Sequence, residues 1–289
     1  MHHGSQLKKF LLFALLPLAI FGAVLIYPFI QGLYLTFTNW DGFAHTKYVG
    51  FANYAKSLKD PAFWTTLRFT LKYVLVSLVA INAVAFGLAL LVTAKLKSSN
   101  VFRTFFFVPN LIGGVVLGVI WQFIFNTALV SISGKFGWSL FSSSWLGETN
   151  TAFWALIIVT VWQSSGYMMI IYITGLISIE QDVLEAARVD GASAARTLWA
   201  IKMPLMAQAF TISLFLTLRG GFMAYDVNVA LTGGGPFRTT ELISMHIFQD
   251  AFAFGNFGTG QSKAVLMFIM VATAALIQVT VSKRMEAKA

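Results

Sequence analysis

Long apolar runs divided by short polar stretches set the pattern of this chain. Six runs, at residues 10–30, 67–94, 104–125, 151–177, 204–223 and 263–281, reach or approach the roughly 20 residues that a helix needs to cross a bilayer. The pattern predicts an all-α integral membrane protein: one transmembrane domain over residues 1–289, six spans, both termini on the same side. The first run is long for a signal peptide, and Tyr27-Pro28 follows it where a small-residue cleavage site would belong. An uncleaved span is expected there. Pro109 and Gly113-Gly114 fall inside the third run and should kink it or admit a close neighbour. Residues 31–66, 126–151 and 225–262 are expected as outer loops. Pro204 is placed to open the fifth span.

The stretch 178–203 breaks the pattern. Asp182, Glu185, Arg188, Asp190, Arg196 and Lys202 crowd a segment that also holds Ala186, Ala187, Gly191, Ala192, Ala194 and Ala195. Ser178 and Gln181 have the spacing of a capping box. Ser193 can cap a second helix after a break at Gly191. Two short helices at the membrane surface are predicted. Their small residues let another backbone approach, and their charges hold them in water, which describes a docking surface.

Composition agrees with a bilayer as solvent. Of 289 residues, 57% are hydrophobic and 11% charged, against about 25% charged in soluble domains. Mean hydropathy is +0.75. The net charge of +9 is not gathered into a stripe that would bind nucleic acid. Eleven of the 20 basic residues (Lys8, Lys9, Lys95, Lys97, Arg103, Arg188, Arg196, Lys202, Lys283, Arg284 and Lys288) fall on the side of the termini. That side is the shorter in sequence, so the basic density is more than about twofold higher there, which points the termini and 178–203 to the cytoplasm. With no cysteine there is no disulfide, thiolate metal site or cysteine nucleophile. His2-His3 is not given a metal role, and His45 and His246 stand isolated in predicted loops. No nucleotide-binding GxxxxGK[ST] occurs, so this chain is expected to be non-catalytic, with no metal and no cofactor of its own.

The stretch also carries a resemblance. Glu185-Ala186-Ala187, Gly191, Ile201 and Met203-Pro204 resemble the EAA loop of binding-protein-dependent ABC importer permeases; Met203 stands where that family usually has Leu. Leu15-Leu16-Pro17, Leu35-Thr36-Phe37-Thr38-Asn39-Trp40, Gly50-Phe51-Ala52-Asn53-Tyr54 and Trp145-Leu146-Gly147 resemble the carbohydrate type. Asp226 with Leu231-Thr232-Gly233-Gly234-Gly235-Pro236 resembles the branch of the maltose F-subunit and the glycerol-phosphate A-subunit. On physical grounds alone the TGGGP stretch is a tight turn. The resemblance implies a type I importer fold and a permease subunit for a sugar or oligosaccharide. It implies a second permease of the other branch, two ATPase subunits that hold ATP and magnesium, and an extracellular or periplasmic sugar-binding protein. The membrane implied is a bacterial-type inner membrane. In this picture Glu185, Ala186, Ala187, Asp190, Gly191, Ile201 and Pro204 couple to the ATPase.

A sugar path needs polar groups in the spans, where they are costly. Thr160, Gln163, Ser164 and Tyr167 share one helical face of the fourth run. Thr217, Arg219 and Gly221 lie late in the fifth. By family position Gln163, Ser164, Tyr167, Thr217 and Gly221 match places that line the path. Serine and threonine can equally serve helix–helix hydrogen bonding, and Tyr167 can equally sit in an interfacial belt. Asn82 and Gln278 fit packing better than ligand binding. Arg219 can snorkel to the headgroups or turn inward and select an anionic sugar. The alternative function is a secondary transporter, which would need no such loop and would show internal repeats.

Overall fold

A computed structural model describes residues 10–42, 47–94 and 99–286. His2, His3, Lys8, Lys9, His45, Lys95, Lys97 and Lys288 lie outside the described residues. Among those described the structure is helical, apart from an isolated bridge between Thr38 and Tyr48. Five helices are long and apolar enough to cross a membrane, and a bent pair makes a sixth. The chain forms two compact units. One takes in the chain up to Phe63 with Ile247–Met267, the other Trp64–His246 and the chain from Phe268.

In the first unit α1 covers Leu11–Leu35, longer than the expected 10–30. Its prolines, Pro17 and Pro28, each follow a wider π turn, Leu11–Leu15 and Gly22–Ile26. A proline lacks the N–H for the bond four residues back, and a local widening re-pairs the neighbours. None of its residues is buried, as suits a helix that is apolar all round. Helix α2 is Ala52–Lys59. Ser57 and Ser262 share a buried hydroxyl hydrogen bond of 2.7 Å. Lys263 is 2% exposed, with Nζ 2.6 Å from Asp60 and 2.9 Å from Asp250. A buried ammonium is tolerable only when paired. Lys263 was expected to open the last span; instead the helix begins six residues earlier, at Phe257.

The long helix α3, Pro61–Thr93, supplies one side of the second unit's core. It is followed by α4, Ser99–Phe107, and a 3-10 turn, Val108–Leu111. The expected third span, 104–125, is corrected here. Ile112 is extended and the apolar helix α5 runs Gly114–Phe136. Pro109 and the glycine pair break the run rather than bend it, because proline leaves a turn unbonded and glycine frees the next backbone. Residues 126–136, expected in a loop, are helical.

Helix α6 is Thr149–Ile177. Then come α7, Gln181–Val189, and α8 and α9, Ala194–Leu205 and Ala207–Phe222, which meet at 71°. The predicted capping box does not form: Ser178 ends α6 and donates to the Gly175 carbonyl, while Glu180 stands at the N-cap of α7. Pro204 does not open the fifth span either. It lies in the last turn of α8, and Met206 leaves helical geometry (φ −102°, ψ 19°) to begin α9. The outer stretch 225–262 holds α10, Asp226–Leu231, and α11, Ile243–Phe248. Helix α12 is Phe257–Glu286.

The core of the second unit lies between α3, α6 and α9. Ile81, Ala85, Ala89, Met169, Tyr172, Met206 and Ala209 pack there, with the Phe86, Tyr172 and Phe210 rings 4.8–5.5 Å apart. Asn82, in the midst of it, is a packing hub as expected. Its Oδ1 accepts from Tyr172 and Ser213, and its Nδ2 donates to the Leu78 carbonyl and to Thr217. Every polar group of that side chain is paired, which a dry interior demands. Gln278 also packs, its Nε2 donating to the Thr211 carbonyl and Ser282, while its buried Oε1 accepts no hydrogen bond among the described residues.

Candidate functional site

Two features stand out: a polar cavity among the helices of the second unit, and the surface segment that feeds one of those helices. The cavity measures about 370 Å³, within the ~300–1,000 Å³ of small-molecule sites. Thr160, Gln163, Ser164 and Met168 of α6 face Tyr73, Ser77 and Ile81 of α3. Leu216, Thr217, Gly220 and Gly221 of α9 close a third wall, and Asn110, Gly114, Tyr225 and Asp226 the rest.

Five of the seven predicted path residues are therefore brought together: Thr160, Gln163, Ser164, Thr217 and Gly221. Four of them also have a structural task. Thr160 donates to the Leu156 carbonyl and shares a 2.9 Å hydrogen bond with the Tyr73 hydroxyl. Gln163 Nε2 donates to the Ile112 carbonyl, meeting a group that the break before α5 leaves open. Thr217 donates to the Ser213 carbonyl and ties the cavity floor to Asn82. A Cβ on Gly221 would stand 3.1 Å from Val74, so glycine there lets α9 approach α3.

Tyr167 and Arg219 are not among the cavity's lining residues. Tyr167 has the right spacing, but its ring is 41% exposed; spacing fixes where Cβ starts, and the rotamer decides where a long side chain ends. Arg219 is exposed, two positions around α9 from Thr217. That is about 200° of helix rotation, so the fifth span cannot aim both at one hollow.

The sequence reading passed over Tyr73, Ser77, Asn110, Gly114, Tyr225 and Asp226 as path residues. Tyr73 and Ser77 were detectable as polar positions at i, i+4 in an apolar helix. Gly114-x-x-x-Gly118 was detectable as a small-residue packing motif. Helix α10 seats on it: a Cβ on Gly114 would be 2.7 Å from the Asp226 Cβ, and one on Gly118 2.5 Å from the Ala230 Cβ. The TGGGP stretch after α10 is a tight turn, with Gly233 and Gly234 at positive φ. Fully buried Asn228 holds it, donating to the Thr240 carbonyl and accepting from the Leu242 amide. His246, expected to be isolated, is buried on α11 with Nδ1 3.3 Å from Glu241 Oε1. Burial pushes the Glu241 pKa up, but hydrogen bonds from His246 and Arg238 outweigh it and hold the group at about 2.

A second hollow of about 600 Å³ is lined by Val84, Leu88, Phe105, Trp154, Trp162 and their neighbours. Its walls are almost wholly apolar and offer little to a hydrated molecule.

In the surface segment, α7 ends in a Schellman motif. Gly191, at φ +72°, donates to the Arg188 carbonyl, and Ala192 to that of Ala187. Ser193 Oγ then caps α8 by accepting from the Arg196 amide. Glu185, Ala186, Asp190 and Gly191 are exposed, while Ile201 and Pro204 are half-buried. Ala187 is buried and so lies on the face on which α7 rests. Val189 is 87% and Trp199 67% exposed. No salt bridge within the segment joins its charges among the described residues. Open apolar side chains amid unpaired charges are what an unfilled interface presents.

A family model described as binding-protein-dependent transport system inner membrane component matches residues 81–287. A probable starch degradation products transport system permease protein of Thermoanaerobacterium thermosulfurigenes is 43% identical over 265 residues, 91% of this chain and 90% of that one. A multiple sugar-binding transport system permease protein of Streptococcus mutans is 30% identical over 275 residues, 95% of each. A bacterial alginate ABC transporter, solved with an alginate pentasaccharide-bound periplasmic protein, superposes with a TM-score of 0.83 at 19% identity over 99% of both chains. That likeness shows the fold.

Proposed function

The chain belongs to the family of binding-protein-dependent transport system inner membrane components, and from that premise we propose how it works as a permease subunit of a sugar ABC importer. Its relatives carry names in sugar transport, and the substrate we propose is an oligosaccharide. The partners proposed are a second permease, two ATPase subunits that bind ATP and magnesium, and a soluble sugar-binding protein. We place the termini and the α7–α8 segment on the cytoplasmic side of a bacterial inner membrane.

The observation that carries this reading is continuity. The exposed segment with Glu185, Ala186, Asp190 and Gly191 runs through α8 to a bend at Met206, and Met206 is 1% exposed in the core. Beyond it α9 delivers Thr217 and Gly221 to the cavity. A force on the surface segment is thus one bend away from the cavity wall. Rigid packed elements pass on such a displacement because a dense core does not deform smoothly. ATP closing the ATPase dimer would move α7 and α8, α9 would shift against α3 and α6, and access to the cavity would alternate. Each ligand acts by preferring one state.

Reconstitution tests this. The chain with its second permease, ATPases and binding protein in vesicles should take up oligosaccharide only with ATP inside. Ion-coupled uptake by this chain alone would overturn the proposal.

A further inference from the structure

We infer that the cavity discriminates against anionic saccharides and that Asp226 is its specificity-determining residue. The inference rests on the proposal that this cavity passes sugar. Among the described residues that line it, Asp226 alone carries a formal charge; Ser77, Asn110, Thr160, Gln163 and Ser164 are neutral. Arg219, the cation that could have favoured an anion, lies outside the lining.

The helix that carries this exposed carboxylate is held in place. Its helix, α10, seats against Gly114, where a Cβ would stand 2.7 Å from the Asp226 Cβ and 3.5 Å from Oδ2. The side chain therefore lies against the first residue of α5. Asn228, fully buried two residues further along α10, ties the helix to Thr240 and Leu242. Beside it, burial and the Asp226 charge both push the Tyr225 phenol up, so Tyr225 remains a neutral hydroxyl.

A carboxylate accepts strong, charge-assisted hydrogen bonds from sugar hydroxyls. A uronate or sugar phosphate brings a second negative charge into the same small space, and although Asp226 is itself exposed, like charges held close together repel. Selectivity then comes from a penalty on the wrong ligand as much as from contacts with the right one. The substrate class is a neutral or amino-bearing oligosaccharide.

Equilibrium binding to the purified full complex, without the binding protein, removes that protein's own selectivity. The probes are maltotetraose and the same tetrasaccharide ending in glucuronic acid. The wild type should bind the neutral probe at least about tenfold more tightly. Asp226→Asn should bring the two within about threefold, and Asp226→Glu should preserve the gap. Equal binding by the wild type, or a gap unchanged in Asp226→Asn, overturns the inference and leaves the sugar reading standing. If Asp226→Asn fails to accumulate, the wild-type ratio decides alone. A wild-type complex that binds neither probe and takes up no oligosaccharide overturns the sugar reading itself, and the inference with it.

Discussion

A methyl group on Gly166 would lie 1.8 Å from the Phe106 carbonyl oxygen. The end of α4 therefore crosses α6 at a separation that only glycine allows. This contact sets the entry to the 3-10 turn and the break before α5. Gln163, three residues away on α6, holds the Ile112 carbonyl at that same break. Helix α6 thus organises the irregular backbone that lets Asn110 and Gly114 reach the cavity.

Gly166→Ala should consequently be poorly tolerated. The obstacle is backbone, which cannot rotate away, so the cost should reach or exceed the ~1–3 kcal/mol of ordinary overpacking. Gly134→Ala, on α5 with open space around it, is the control. Membrane abundance and the melting temperature of the purified complex should fall for the first and hold for the second. Equal abundance and melting would mean that the crossing is looser than described.

Gly191 poses a different problem. Nothing lies within 4 Å of a Cβ there, but its φ is +72°. Strain, not collision, limits substitution. Asn, which tolerates this conformation, should nearly preserve uptake; Val should cost more than about 1 kcal/mol locally and tilt α8. The expected result is ATP hydrolysis that continues while uptake drops several-fold in Gly191→Val. Normal uptake with Val would remove the turn from the coupling path.

Much of this was legible in the sequence. Apolar run length located the helices because a bilayer demands it, and Gly191 and Ser193 announced a turn and a cap through well-defined chemistry. Where the run contained breakers, length misled: Pro109 and Gly113 moved the third helix ten residues, and the fifth span, expected to open at Pro204, opens past a bend at Met206, which has no turn signature of its own. In the cavity, α6 spacing found Thr160, Gln163 and Ser164. Tyr167 shares that spacing yet is exposed and outside the lining. Tyr73, Ser77 and Asp226 come from other elements, and only tertiary packing brings them together.

The turn after α10 should respond to acid. The Glu241 pKa is lowered from 4.5 to about 2. A depressed carboxylate contributes stability that is fully present above its unfolded value and is lost as pH falls through its folded one. The melting difference between wild type and Glu241→Gln should be constant from pH 7 to about 5 and shrink as pH falls from 4.5 toward 2. A difference that does not change over that range would show that Glu241 gains nothing from His246 and Arg238.

Arg219→Gln should leave uptake of a neutral oligosaccharide within about twofold of wild type, since an exposed arginine that snorkels from a helix contributes mainly to placement in the interface. Uptake and abundance measured in the same vesicles decide it. A loss of uptake at full abundance would bring Arg219 back into the path.

The central claim is that the α7–α8 segment meets the ATPase and moves the cavity wall. The chain has no cysteine, so a cysteine at Val189, 87% exposed at the end of α7, is a unique probe. Thiol cross-linking of Val189→Cys in the assembled complex should join this chain to an ATPase subunit and arrest oligosaccharide uptake, with reduction of the link restoring it. Cross-linking to the sugar-binding protein instead, or modification only from the outer side of the membrane, would contradict the account.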